Sequence, residues 1–259
     1  MTTKQGNDRG PIRGIDKSVI TTFDQFHKVL PDSIAYLVNG EVFPFTVPKP
    51  DPFQVIEQAR NDPKTRITKG ERGDRISLTL QEPDTDFRTL PLAESIKTPI
   101  HLSLFDLGPM RESDGALVEV IQQVYLPLTQ LWKSHGLRWQ KVYPILFLSG
   151  PNCSTNYHWD PSSVLIVQLH GRKRFYSLKS PEYWCSDDVL EQKHQAMVRP
   201  TGLSEDDILI YELEPGKAIW SPCKAPHWLD AYDETAFTLS IAFTDISTDT
   251  NTPAEMQIL

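Results

Sequence analysis

Between Val142 and Phe243 the chain is cut into apolar runs of only four to eight residues, and this constrains the fold more than any other feature. The runs are Val142–Leu148, Val164–Leu169, Arg174–Leu178, Lys217–Trp220 and Ala236–Phe243, separated by glycine- and proline-bearing turns. Runs of this length are too short for helices that bury a face, and they suit strands. The 21 prolines outnumber the 13 glycines, which chops the backbone further and disfavours a helical bundle. Many short strands joined by such turns imply an antiparallel sandwich or barrel. Two helices interrupt the pattern. One runs from Asp114 to His135, with Leu117, Val120, Ile121, Val124, Leu128 and Leu131 on one face and Pro127 as a kink. A shorter one spans roughly Glu182 to His194.

The first part of the chain reads as wrapping around that core. Residues 1–18 are polar and aperiodic, as in a mobile arm. A short helix around Phe26–Leu30 precedes strand-like pieces at Ala35–Val38 and Val42–Phe45, with turns at Asn39-Gly40 and Pro48. Asp51 caps a helix that carries Pro52 in its first turn and runs to about Asn61, with apolar Phe53, Ile56 and Ala59 recurring every three residues. Residues 62–74 are charged and read as a solvated loop or a flap over a binding site, with Ile67 as the one apolar anchor. Arg75–Leu80 and Pro99–Phe105 read as strands. One domain is expected over residues 19–259: wrapping over 19–135, a β core over 136–244 and a tail over 245–259.

Charge and composition exclude several function classes. The net charge of −8 argues against a general nucleic-acid binder, which needs a basic face to displace phosphate counterions. No run of eighteen apolar residues spans a bilayer, and the N-terminus has no apolar stretch of a secretory signal. Cys153, Cys185 and Cys223 are odd in number and far apart, so neither a disulfide framework nor a thiolate zinc site is expected, and a reducing cytoplasm fits.

Chemistry concentrates around His158 and His227. In an extended segment, residues two apart share a face, so His158 and Asp160 can present an imidazole and a carboxylate to one ion. With a second histidine they would make the two-nitrogen, one-carboxylate set preferred by non-haem Fe(II) oxygenases. The pair alone is weak: among 7 histidines and 34 acidic residues a chance His-x-Asp is unsurprising, and a surface turn or core hydrogen bond is the plain alternative.

The context is more specific. Gly150–Asp160, the hairpin Gln168–Arg174, the stretch Glu214–His227 and the run Thr238–Phe243 follow in one order. Together they resemble the JmjC-type, cupin-like Fe(II)- and 2-oxoglutarate-dependent oxygenases, particularly the small hydroxylase branch, over about Tyr143–Thr244. The resemblance implies a mainly β fold with flanking helices, built on a double-stranded β-helix (jelly-roll). It implies that His158, Asp160 and His227 hold iron. It implies that Lys173, fifteen residues past the first histidine, pairs with the distal carboxylate of 2-oxoglutarate and that Thr155 hydrogen-bonds the same carboxylate. The expected activity is O2-dependent hydroxylation of a peptide or protein side chain, or of a small amino-acid-like molecule. Lys217 stands where the family often has Asp, Ala242 where some members have Asn, and His101 falls near a tyrosine of others. The chain has fifteen residues after Thr244, so the family's C-terminal helical dimer is not expected.

Plainer readings stand beside these. Arg172, Lys173 and Arg174 could be a solvated hairpin tip, although alternation places Lys173 opposite its neighbours. Trp159, Trp220 and Trp228 are core residues by default, Cys153 and Cys223 are packing residues, and His135 sits at a helix C-terminus. Two other classes remain: a zinc-dependent cupin-type hydrolase or isomerase, which would leave Lys173 unexplained, and a non-catalytic cupin-fold binding protein.

Overall fold

The computed structural model describes residues 18–70, 81–83, 86–185 and 198–248, and the backbone of 256–257. Twelve strands are found there: β1 Val19–Ile20, β2 Tyr36–Val38, β3 Arg66–Lys69, β4 Ile100–Leu104, β5 Lys141–Ser149, β6 Ser163–His170, β7 Lys173–Leu178, β8 Ile208–Leu213, β9 Ala218–Ser221, β10 His227–Ala231, β11 Ala236–Thr244 and β12 Met256–Gln257. They form a nine-stranded sheet in the order β1-β2-β9-β6-β11-β5-β4-β3, with β12 paired to β5, and a three-stranded sheet in the order β10-β7-β8. The two sheets make a jelly-roll, mainly β with helices outside it.

The large sheet is buried on both faces. Phe237, Leu239, Ile241 and Phe243 of β11 and Leu165, Val167 and Leu169 of β6 pack outward, against Phe26, Ile56 and Trp132 of the helices. Ala242, Val164, Ile166 and Ile145 point the other way, toward Phe175, Tyr211, Leu213 and Leu229 of the small sheet. Burial on both faces explains why these strands read as near-continuous apolar runs rather than as alternations. The N-terminal part is built into the same sheet, since β2 pairs with β9 and β4 with β5.

The helices follow their capping chemistry. Thr22 and Gln25 form a reciprocal cap on Phe23–Val29. Asp51 accepts from the Phe53 N–H at the start of Pro52–Asn61. In that second helix the buried stripe is Val55, Ile56 and Ala59, and Phe53 is 42% exposed, so of the three recurring apolar residues only Ile56 and Ala59 are buried. The long helix begins at Val118 rather than Asp114 and contains a π-helical turn over Ile121–Tyr125 before Leu126–Ser134. The π turn lies next to Pro127, which cannot donate to the carbonyl four residues back.

Other expectations change too. Arg66–Lys69, expected as solvated loop or flap, is a strand paired with Ile100–Ser103 of β4, the last of the large sheet among the described residues. Val42–Phe45 is not a strand. Strand β8 and strand β10 were not anticipated. The arm, the strand Arg75–Leu80, residues 71–74 of the loop, most of the helix Glu182–His194 and most of the tail lie outside the described residues; Pro181–Trp184 forms a single helical turn.

Candidate metal and anion site

The segment after β5 lays His158 against the first residue of β10. His158 N–H donates to the His227 carbonyl at 3.0 Å, and His227 N–H donates back at 2.8 Å. This isolated bridge brings two histidines 69 residues apart into ring contact, with centroids 4.3 Å apart. Asp160 is held by its own carbonyl, which accepts from Lys224 N–H at 2.9 Å; Lys224 sits at φ 62° in the turn before β10. Ligand atoms of His158, Asp160 and His227 all lie within 4.8 Å of one another, and among the described residues this is the group that could hold a metal ion.

The ring tautomers suit that use. His158 Nδ1 lies 2.7 Å from the Asn156 carbonyl, and His227 Nδ1 lies 2.9 Å from the Ala225 carbonyl. A carbonyl only accepts, so each Nδ1 carries the hydrogen and each Nε2 presents its lone pair to the centre. His227 Nε2 is 3.7 Å from Asp160 Oδ2. Burial, aided by neighbouring His158, pushes the His227 pKa down to about 4, which keeps the imidazole neutral and able to ligate. Phe175 stacks on its ring at 5.1 Å and fixes its plane.

Lys173 opens β7 and is 2% exposed. It shares the interior face with Phe175, because side chains two apart on a strand point the same way. Its cross-strand partner Ala231 lies four residues along β10 from His227, about 13 Å at strand spacing. No carboxylate pairs with its ammonium among the described residues, and burial pushes its pKa down to about 7. His101 of β4 faces the same interior, opposite Ser149, and its Nε2 lies 3.0 Å from the Ser154 carbonyl. A carbonyl partner makes that contact a donation. Burial, with Lys173 adding to it, pushes His101 down to about 4. Thr155 lies between the histidine bridge and Lys173. Its N–H and its Oγ1 both bond Leu229 at 2.8 Å, the Oγ1 as acceptor, so the hydroxyl hydrogen is left to donate.

Arg172 and Arg174 are not equivalent. Arg172 is exposed beside Glu234, as expected of a hairpin tip. Arg174 faces away from Lys173 but is buried: its Nε donates to Glu212 at 2.8 Å and its NH2 to Tyr232 at 2.7 Å, which corrects the solvated reading. Ala242 lies in the interior, and Trp220 packs among Phe26, Trp132 and Phe243 as a core residue. The carbonyls of Asn156, Ala225 and Ser154, which set the ring tautomers, carry no sequence signal because any residue supplies a carbonyl.

Residues 139–251 match the family described as the JmjC domain. The fold is similar to the X-ray structure of ycfD from E. coli, with a TM-score of 0.54 and 18% identity over 86% of this chain and 53% of that one. A structure of YcfD described as a ribosomal oxygenase, in complex with cobalt and 2-oxoglutarate, gives a TM-score of 0.49 and 18% identity over 81% and 47%. The DMSP lyase DddQ of Ruegeria pomeroyi gives 0.27 and 15% over 43% and 41%. The chain thus spans about half the length of the YcfD chains. No curated protein matches the sequence significantly.

Proposed function

We propose that this protein, whose residues 139–251 match the JmjC domain family, is an Fe(II)- and 2-oxoglutarate-dependent oxygenase that hydroxylates a peptide or protein side chain. The observation that carries the reading is Lys173: a buried cation without a carboxylate partner among the described residues, facing the same interior as a His-Asp-His cluster. A buried charge is costly unless paired, so the site is built for an anion that the chain itself does not supply. A dicarboxylate with a metal at one end and an ammonium at the other meets that need. A zinc hydrolase built on the same three ligands would leave Lys173 without a task.

The residue types fit the group. Two neutral imidazoles and one carboxylate are the donor set of non-haem iron oxygenases, and their lone pairs already converge. His158, Asp160 and His227 would hold the metal. Lys173 would bind the distal carboxylate and Thr155 would donate its hydroxyl hydrogen to it. Bound iron with 2-oxoglutarate supplies the O2-dependent oxidation, with succinate and CO2 as co-products. The chain's part is to orient and to exclude water. Phe175 and the backbone carbonyls hold the rings, while Ile145, Val164, Ile166 and Leu229 keep the interior apolar.

The substrate class rests on an exposed aromatic shelf beside β3 and β4 of the large sheet. Cross-strand partners share a face, so Arg66, Ser103 and Phe147 continue the interior wall beyond the small sheet. Phe105 meets Phe147 edge-on at 5.9 Å, carries Arg66 over its ring and is 49% exposed. An open aromatic shelf suits one side chain of a polymer better than a fully enclosed small molecule. The metal assignment is tested by elemental analysis of Asp160→Ala: iron should be lost while the circular dichroism spectrum persists. Wild-type iron content in that variant would overturn it.

A further inference from the structure

Each candidate histidine ligand is bonded in sequence to a buried aromatic residue, and those aromatics form one contact chain. Tyr157 precedes His158, and Trp228 follows His227. Strand alternation sends Trp228 to the outer face of the small sheet, opposite His227. There it stacks on its cross-strand partner Tyr176, with centroids 4.9 Å apart and planes within 3°. Tyr157 meets the Trp228 ring edge-on at 5.8 Å. The Tyr176 hydroxyl donates to Asp230 Oδ2 at 3.0 Å, and Asp230 Oδ1 accepts from Ser154 at 2.6 Å. The Tyr157 hydroxyl is buried with no hydrogen-bond partner among the described residues. The Arg199 guanidinium lies 4.3 Å over the Trp228 ring.

These details decide where an electron would be given up. Aromatic rings in van der Waals contact pass electrons readily, and an oxidised phenol becomes strongly acidic, so tyrosine oxidises easily only when a base can take its proton. Among the described residues Tyr157 has no such base, and Tyr176 has Asp230. A cation over Trp228 opposes a lasting positive charge on the indole. Trp228 is therefore a way station, and Tyr176, half-buried and near solvent, is the terminus.

We propose that Trp228 and Tyr176 form an electron-donating relay that discharges an over-oxidised metal centre when no substrate is in place. This rests on the oxygenase reading of the site. The centre gains one electron from Trp228. The resulting indole radical cation gains one from Tyr176, whose O–H bond breaks as its proton passes to the Asp230 carboxylate, leaving a neutral tyrosyl radical. A thiolate from solution then returns an electron and becomes a thiyl radical, and Asp230 returns the proton. The function is protection: the oxidant is spent on a repairable residue instead of on the ligands.

The relay is tested in two arms. In the metal-free full chain, azide radicals made by pulse radiolysis oxidise tryptophan, and optical absorbance follows its conversion to tyrosyl radical. A Tyr183→Phe background is used because exposed Tyr183 touches Trp184. A fast conversion phase is expected there, lost in Tyr176→Phe and in Trp228→Phe and kept in Tyr157→Phe. Identical kinetics in all four proteins would overturn the relay whether or not iron binds. In the second arm the iron-loaded protein meets 2-oxoglutarate and O2 without substrate and is freeze-quenched. A tyrosyl electron paramagnetic resonance signal is expected in the wild type, absent in Tyr176→Phe, where oxygen-modified peptides around the site increase by mass spectrometry. If the iron–2-oxoglutarate absorbance band is present but Tyr176→Phe keeps the signal and the wild-type damage level, the relay is wrong while the oxygenase reading stands. If the band is missing, the oxygenase reading fails and the first arm still judges the relay.

Discussion

Replacing Lys173 by Met should move stability and co-substrate binding in opposite directions. In the free protein Lys173 is 2% exposed with no carboxylate partner among the described residues, and burial lowers its pKa from 10.5 to about 7. The unfolded chain therefore binds more protons than the folded one between those two values, so stability rises with pH across that window. The penalty is fullest at and below pH 7 and is lost as pH climbs through 10.5. A difference of 10.5 − 7 = 3.5, at about 1.36 kcal/mol per unit, gives a penalty on the order of 4 kcal/mol at pH 7. Met removes the charge and keeps the volume. Melting followed by circular dichroism at pH 7 should rise by roughly 10 °C, at about 2–4 °C per kcal/mol for a chain of this size. The gap should narrow by about 1.4 kcal/mol for each pH unit above 7. In the same variant 2-oxoglutarate loses its buried partner, which costs about 3–5 kcal/mol, or roughly two to four orders of magnitude in affinity by calorimetry. A variant that melts below the wild type at pH 7, or that binds 2-oxoglutarate as tightly, would refute the buried-unpaired-cation reasoning.

Further outcomes follow from other contacts. Arg174→Ala should lower stability by about 3–5 kcal/mol in urea unfolding, because it strands Glu212 and Tyr232 in a mostly buried network, while Arg172→Ala at its exposed pair should cost under about 1 kcal/mol. Gly171→Ala should destabilise by more than about 1 kcal/mol, since φ is +62° and an added Cβ would stand 2.4 Å from the Thr235 carbonyl oxygen; equal urea midpoints for both proteins would contradict this. Lys224→Gly relieves a left-handed backbone and should keep iron binding, whereas Lys224→Val should weaken it by loosening the loop that holds the Asp160 carbonyl, as read by metal titration.

The strands β5, β6 and β11 were legible because their apolar runs are long, yet the sequence could not say which residues face which layer. Val164-Leu165-Ile166-Val167 is apolar at every position, and only the stacking of helices on one side and the small sheet on the other separates them. Strand β10, His-Trp-Leu-Asp-Ala, has no β-branched residue and follows a proline; its extended form comes from pairing with β7. Strand β8 shows Ile, Leu, Ile and Tyr in series and was obscured by the acidic residues that flank it. Arg66-Ile67-Thr68-Lys69 reads as solvated because its charges are real, but β4 offers it a partner edge. At the site, the His-x-Asp spacing and the inward phase of Lys173 could be read from the chain. His227 stands out as a histidine in a proline-rich corner, but its place as third ligand comes from the resemblance, since 66 residues separate it from Asp160. The Arg174–Glu212–Tyr232 network could not be read at all, because its members lie 38 and 58 residues apart in the chain.

The central claim is that one interior holds both a metal and a dicarboxylate. Anaerobic titration of the protein with Fe(II), then with 2-oxoglutarate, tests it directly by visible absorbance. The account predicts a broad metal-to-ligand charge-transfer band that saturates near one equivalent, vanishes in Asp160→Ala and needs far more 2-oxoglutarate in Lys173→Met. Fe(II) binding with no such band at any 2-oxoglutarate concentration would contradict it.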